Sequence, residues 1–344
     1  MDLARQRFSR GTVPSSVLAS VTMGLEEFID EQGGHSAEVL SRAGLTSRLY
    51  QSPNRHISLK HYINSMHEAA LSTGNEHFGL WFGEQFEPEG LGLFGFHAMT
   101  SPDLRSAIEG MQEYFPIFQR NSLLQMEVKE GICQLEYRLL DGEIMDRRQD
   151  AELTLGMLNN VLKRAMGTHG SPLEVHFQHP ALVDAQQHRQ AFHCDIRFHQ
   201  ERNVILFRES CLDLPMPDAH QMLNNVTLGS IRELAGLVEQ TLTTVQRAKS
   251  EIIALLPDGE ASLDHVARRL NLSSRTLQRQ LAAEKQSFKR LVDEVREELA
   301  VCYLNYERLS VSEIAYRLGY SDVSAFTHAF MRWKDVSPSD WRMQ

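Results

Sequence analysis

The sequence has little of what several large function classes need. No stretch of its 344 residues approaches the ~18 consecutive apolar residues of a membrane span, so no membrane partner is expected. Cysteine is scarce. Cys133, Cys194, Cys211 and Cys302 are spread over both halves and form no CxxC pair, which excludes a disulfide framework and predicts buried thiols in a cytoplasmic protein. Met1 to Thr12 carries Arg5, Arg7 and Arg10 with no apolar run behind them, so it does not read as a secretory signal. GxSxG, P-loop and Rossmann glycine patterns are missing, which argues against an enzyme. Gly90, Gly92 and Gly95 lack the opening spacing of GxGxxG, and close backbone approach accounts for them. Seven histidines fall between His169 and His220. Without HxH, HExxH or a carboxylate grouping, they read as polar residues scattered on a sheet surface, and no metal or cofactor is expected.

Excess positive charge is also missing. The net charge is −10, but its distribution matters more than its sum. Residues 258–344 hold 13 basic and 13 acidic side chains, leaving 22 basic against 32 acidic upstream, so all of the −10 lies before residue 258. What is present is a core, since 42% of residues are apolar, and enough length for two domains.

The C-terminal part contains an internal repeat. Ser262-Leu263-Asp264-His265-Val266-Ala267-Arg268-Arg269-Leu270-Asn271-Leu272-Ser273 matches Ser310-Val311-Ser312-Glu313-Ile314-Ala315-Tyr316-Arg317-Leu318-Gly319-Tyr320-Ser321. Each copy opens with a Ser suited to an N-cap and places apolar residues at helical spacing around a central Ala. A small side chain there lets two helices cross closely around a tight turn. Four residues later, Asn271 and Gly319 suit a left-handed turn, and a Ser then restarts helix. Each copy therefore reads as a helix-turn-helix.

In the first copy Leu277 and Leu281 form the apolar stripe of the second helix, leaving Arg275, Thr276, Gln278 and Arg279 outward. Arg and Gln suit guanine and adenine edges. In the second copy Phe326, Phe330 and Trp333 are the buried stripe. Ser324, Ala325, Thr327 and His328 face out, a smaller, hydroxyl-bearing surface expected to discriminate bases less. A single helix from Phe288 to about Asn305 joins the copies, which sets two recognition helices about one DNA turn, roughly 34 Å, apart. Arg268, Arg269 and Arg317 read equally as solvated faces or phosphate contacts.

The N-terminal part predicts an α+β class with antiparallel strands. Helices are expected over Val17–Ile29, His61–Leu71, from Leu104 to about Phe115, and Ala151–Met166. A hairpin of Leu124–Lys129 and Ile132–Leu139 turns at Glu130-Gly131. Leu173–Phe177, Asp195–Phe198 and Asn203–Phe207 read as short strands. Phe94, Phe96, His97, Tyr114, Phe115 and Phe118 are candidates for a small-molecule pocket, with plain core packing as the other reading. Leu228, Ile231, Leu234, Ala235, Val238, Leu242 and Val245 form a helical stripe that serves either its own domain or a dimer seam.

The stretch from about Gln246 to Gln344 resembles the DNA-binding domain of the AraC/XylS family, through Ile314-Ala315, Leu318-Gly319-Tyr320-Ser321, Phe326, Phe330, Trp333 and Ser337-Pro338. Trp333-Lys334-Asp335-Val336 departs from the family pattern, which has a Gly there. The N-terminal part resembles the ornithine-utilisation-regulator type of that family, whose domain is labelled arabinose-binding by analogy. Gly92-Leu93-Phe94-Gly95-Phe96, Ser101-Pro102, the run Pro172 to Pro180 and Leu214-Pro215-Met216-Pro217 carry that likeness. The resemblance implies an all-α C-terminal domain with two helix-turn-helix units. It also implies promoter DNA, RNA polymerase and a second copy of the chain as partners, and a small-molecule effector, amino-acid-like or fatty-acid-like. The expected organisation is a sensor over 1–215, a junction helix over 216–245 and a DNA-binding domain over 246–344, in a nucleoid-associated activator. A constitutive regulator and a DNA-targeted enzyme are the alternatives.

Overall fold

The computed structural model describes residues 15–141, 144, 146–167, 170–181, 185–241, 243–256, 259–306 and 309–343. The chain divides into two compact units, one of Pro14–Leu139 with Glu143–Ala235, the other made mainly of Gly236–Gln344.

The N-terminal unit opens with a correction. Instead of one helix over Val17–Ile29, strand β1 (Ser16–Leu18) leads into a 3-10 turn (Ala19–Thr22), and helix α1 (Leu25–Glu31) starts only after Gly24, at φ 74. The apolar spacing fits a helix, but Val17, Leu18, Ala19 and Val21 are all buried to within 2%. A segment buried on every side has no polar face to show, so tertiary pairing overrides the period. Helix α2 (Ser36–Ala43) follows. Strand β2 (His56–Ser58) then pairs antiparallel with β1, Ser16 opposite Ser58 and Leu18 opposite His56.

Helix α3 (Leu59–Thr73) is N-capped by Ser58, and α4 (Phe78–Gln85) and α5 (Leu93–Thr100) follow. Helix α6 (Leu104–Phe118) is capped by Asp103, whose carboxylate accepts from the Ser106 amide at 2.8 Å. The hairpin forms where expected. Strands β3 (Ser122–Lys129) and β4 (Ile132–Leu139) close through Glu130 and Gly131, both at positive φ, with Lys129 opposite Ile132. Two left-handed residues match the twist of the flanking strands. Helix α7 (Arg148–Met166), strand β5 (Glu174–His176), helix α8 (Gln186–Phe192), strands β6 (Asp195–Arg197) and β7 (Asn203–Arg208), and helix α9 (Gln221–Thr241) complete the order. The five-stranded sheet runs β3-β4-β7-β5-β6. Its pairs are antiparallel except β5–β6, which are parallel.

Helices α4 and α7 touch at backbone distance. A Cβ on Gly79 would lie 2.3 Å from the Gln149 carbonyl oxygen, and one on Gly83 2.6 Å from that of Leu153. On the facing helix a Cβ at Gly156 would meet the Gly83 carbonyl carbon at 2.7 Å. Gly95 likewise sits against Pro88, where a Cβ would fall 1.7 Å from its carbonyl oxygen.

The C-terminal unit is helical: α10 (Thr244–Leu255), α11 (Leu263–Arg269), α12 (Ser274–Ala283), α13 (Phe288–Tyr306), α14 (Val311–Arg317), α15 (Val323–Lys334) and α16 (Pro338–Arg342). The two central alanines, Ala267 and Ala315, are fully buried with Val266, Leu277, Leu281, Ile314, Phe326 and Phe330. The stripe from Leu228 to Val245 falls on two helices, because Thr243 restarts the chain as N-cap of α10 in a reciprocal capping box with Gln246. Leu228, Ile231 and Leu234 pack into the N-terminal core, and Val245 belongs to the C-terminal one. The side chains of Val238 and Leu242 lie outside the described residues.

Candidate functional site

Each repeat folds as a helix, a left-handed turn and a second helix. Asn271 (φ 55) and Gly319 (φ 70) take the turn positions. The second turn is clamped by Arg296 of α13, whose Nε donates to the Leu318 carbonyl at 2.9 Å and whose guanidinium lies 4.4 Å from the Tyr320 ring centre. The copies differ by one residue where helix resumes. Ser273 caps α12, but Asp322, not Ser321, caps α15, its carboxylate accepting from the Ala325 amide at 2.8 Å. Asp is as good a cap as Ser and adds a negative charge at the positive helix end. The offset of 48 residues between the repeats therefore becomes 49 on the second helices, and Leu277 and Phe326 take the same buried place.

That register puts Arg275, Gln278 and Arg279 on the exposed face of α12, with Thr276 half-buried and its hydroxyl 2.8 Å from that of Ser273. On α15, Ser324 and His328 are exposed, and Ala325 and Thr327 are half-buried. The Thr327 hydroxyl donates back to the Val323 carbonyl at 2.9 Å, so its methyl group and acceptor lone pair remain for a partner.

The neutral charge of this unit conceals an uneven distribution. Acidic residues of α13 take Arg332 (Asp293, 3.4 Å), Arg290 (Glu294, 3.0 Å), Lys334 (Glu297, 2.8 Å) and Lys249 (Glu298, 2.9 Å). On α11, Arg269 pairs with Glu251. Among the described residues, Arg275 and Arg279 enter no ion pair or hydrogen bond. Cations unclaimed by the protein are the ones available to phosphates or base edges.

The N-terminal unit holds a small cavity lined by Val21, Tyr62, Leu91, Phe94, Met111, Phe115, Phe118, Gln119, Asp150, Leu153, Thr154, Met157 and Leu158. About 20 Å³ of it is open to the centre of a water molecule, room for one or two waters. Three of the six aromatic and histidine candidates, Phe94, Phe115 and Phe118, are in its wall. Phe96 does not line it and is 44% exposed. His97 is buried elsewhere, its Nδ1 3.0 Å from the Asn224 amide of α9, and Tyr114 accepts from Arg232 at 3.3 Å. The polar residues of the wall, Gln119, Asp150 and Thr154, carry no signature in the sequence. Asp150 in particular reads as an acidic residue in the first turn of an amphipathic helix.

The histidines are not all on a surface. His188 is fully buried and its Nε2 lies 2.9 Å from the equally buried Glu152 carboxylate. His179 Nε2 is 3.5 Å from the same oxygen, and the His77 ring stands edge-on to His188 at 5.3 Å. Burial holds His77 and His179 below the usual imidazole range. Among the described residues no three His, Cys, Asp or Glu side chains are arranged to hold a metal, and no helix is long and apolar enough to cross a membrane.

Comparison with known proteins agrees with both units. Residues 33–216 match the family model for the arabinose-binding domain of AraC transcription regulators, and residues 266–344 match a helix-turn-helix domain model. The ornithine utilization regulator of Pseudomonas aeruginosa is 25% identical over 92% of this chain and 94% of its own. The regulator VirS of Mycobacterium tuberculosis is 23% identical over 95% and 96%. The crystal structure of the transcriptional regulator CdpR from Pseudomonas aeruginosa aligns at 20% identity over 92% of this chain and 97% of that one, with a TM-score of 0.44. These relatives are transcription regulators, not enzymes. With over half the chain inside the N-terminal model and a helix-turn-helix domain behind it, this protein belongs to the AraC family of DNA-binding transcription regulators.

Proposed function

We propose that this protein is an effector-responsive activator that reads two successive major-groove segments with α12 and α15. The observation that carries the reading is the Arg275–Gln278–Arg279 face of α12, exposed and without an ion pair or hydrogen bond among the described residues, in a unit where Lys249, Arg269, Arg290, Arg332 and Lys334 are held by carboxylates. Arg bidentate to guanine and Gln to adenine supply base discrimination. Ser324, Ala325, Thr327 and His328 offer small and methyl-bearing contacts to the second segment. At 1.5 Å per residue, α13 is roughly 28 Å long, which suits holding two recognition helices about one DNA turn apart.

Residues 1–215 act as the sensor, 216–245 as the junction and 246–344 as the DNA-binding domain. The cavity walled by Phe94, Phe115 and Phe118 is the effector site, and a ligand there acts by binding one of two states more tightly than the other. The active species is a homodimer working with RNA polymerase. Met222, Leu223 and Val226, exposed at 73%, 43% and 60% on the first turns of α9, offer its apolar seam.

Replacing Arg279 tests the DNA reading. Arg279→Ala is expected to lose about 1–3 kcal/mol at the specific site and to relax base preference at one position. Equal weakening on every duplex, measured by competition binding, assigns Arg279 to the phosphates and removes it from base readout.

A further inference from the structure

We infer that the cavity of the N-terminal unit recognises a small amine, its ammonium paired with Asp150 and its apolar body set against Phe94, Phe115 and Phe118. This rests on the reading of that cavity as the effector site and names the chemistry it selects.

The argument starts from a buried carboxylate with too few partners. Asp150 is 2% exposed and lines the cavity. Its one hydrogen-bond donor among the described residues is the Tyr137 hydroxyl, at 2.8 Å. That hydroxyl in turn accepts from Gln119 Nε2 at 2.6 Å, so its proton is committed to Asp150 and the relay fixes the carboxylate in place. A carboxylate has about four acceptor positions, and one is used. No ion pair reaches Asp150 among the described residues, and no Lys or Arg lines the cavity. The nearby Arg147 directs its guanidinium to the carbonyls of Ile144 and Leu139, both at 2.7 Å, and favours the ionised Asp150 through its charge without pairing with it. Burial lifts the Asp150 carboxyl to about 6, which leaves it ionised at pH 7.5.

A buried anion with no cation paired to it is costly, and a ligand cation beside it lowers that cost. A fatty-acid-like ligand would place a second negative charge beside the first, with no cation in the wall to receive it. A purely apolar ligand would leave the carboxylate unmet. An ammonium head offers three donors and the opposite charge. The small volume of the cavity limits the body of the ligand to a carbon or two.

The test is thermal melting of the full chain at pH 7.5 and fixed ionic strength with methylamine, methanol or formate. The amine is expected to raise the midpoint by a few degrees while the other two do not, and Asp150→Asn is expected to abolish the amine's effect. Should that variant not fold, calorimetric titration of the wild type decides. Amine affinity must drop about tenfold from pH 7.5 to pH 5, as a carboxyl near 6 protonates. An amine shift that survives Asp150→Asn, an affinity indifferent to pH, equal shifts from formate or methanol, or no shift at all overturns the amine inference. The reading of the cavity as a ligand site fails separately, if Phe115→Trp, which fills the cavity, leaves every ligand-induced shift intact.

Discussion

At the scale of single residues, titration exposes what burial does to otherwise ordinary side chains. His56 touches Ser16 Oγ through Nδ1 at 3.1 Å, and its Nε2 is buried with no partner. Burial and the neighbouring Arg120 charge bring it down to about 4. The unfolded chain takes up this proton near pH 6.5 and the folded chain only near 4, so the contribution is complete above 6.5 and is lost as pH falls through about 4. Asp150 has the opposite sign. Its raised carboxyl favours the fold below the usual carboxylate range, and that advantage disappears as pH rises through about 6. Urea midpoints measured at pH 7 and pH 5 should show His56→Asn losing less stability on acidification than the wild type, and equal losses would refute this account. The contrast between Arg279 and Asp150 shows what single positions reveal. Arg279 was legible because its helix has a two-leucine stripe that leaves one face over. Asp150 was not, because an acidic residue in a first helical turn looks solvated until α3, α6 and β4 close over it.

At the scale of elements, two local rules collide with tertiary packing. Gly83 lies inside α4, where replacing glycine by alanine normally favours the helix by about 1 kcal/mol. Here the added methyl meets the Leu153 carbonyl at 2.6 Å. Gly83→Ala is therefore expected to destabilise the N-terminal unit by about 1–3 kcal/mol, and a higher denaturation midpoint for that variant would show that the α4–α7 contact yields. The second collision is at residues 17–29, where helical spacing gave way to strand pairing and a left-handed Gly24. Elements with local punctuation are the most directly legible in the sequence: the Glu130-Gly131 turn, the Ser262, Ser273 and Ser310 caps, and the unbroken stripe of α13. The α15 cap was placed one residue early, because Ser321 and Asp322 are both good caps and only the position of Phe326 in the core chooses between them. The stripe through α9 failed as one unit for a related reason. Its apolar positions run on in phase across Thr243, although the helices on either side serve different cores.

At the scale of the whole molecule, charge governs how DNA is approached. The net −10 lies upstream of a neutral DNA-binding unit. With 13 basic and 13 acidic side chains over residues 258–344, non-specific binding is expected to be weak and to vanish on raising salt from about 50 to 200 mM, while specific binding persists. Filter binding with operator and random duplex checks this, and parallel loss of both would mean that phosphate contacts dominate. The sequence by itself determined the class of protein, the existence of two helix-turn-helix units and the exposed side of α12 that carries Arg275, Gln278 and Arg279. These rest on periodicity, caps and turn residues, which act between near neighbours along the chain. Only the tertiary structure decided that Asp150 lies buried against an apolar cavity, that three histidines gather around Glu152, and that Arg275 and Arg279 find no partner among the described residues. Each of those depends on residues tens of positions apart, and a linear pattern carries no record of which distant side chain will arrive to bury, pair or leave a charge alone.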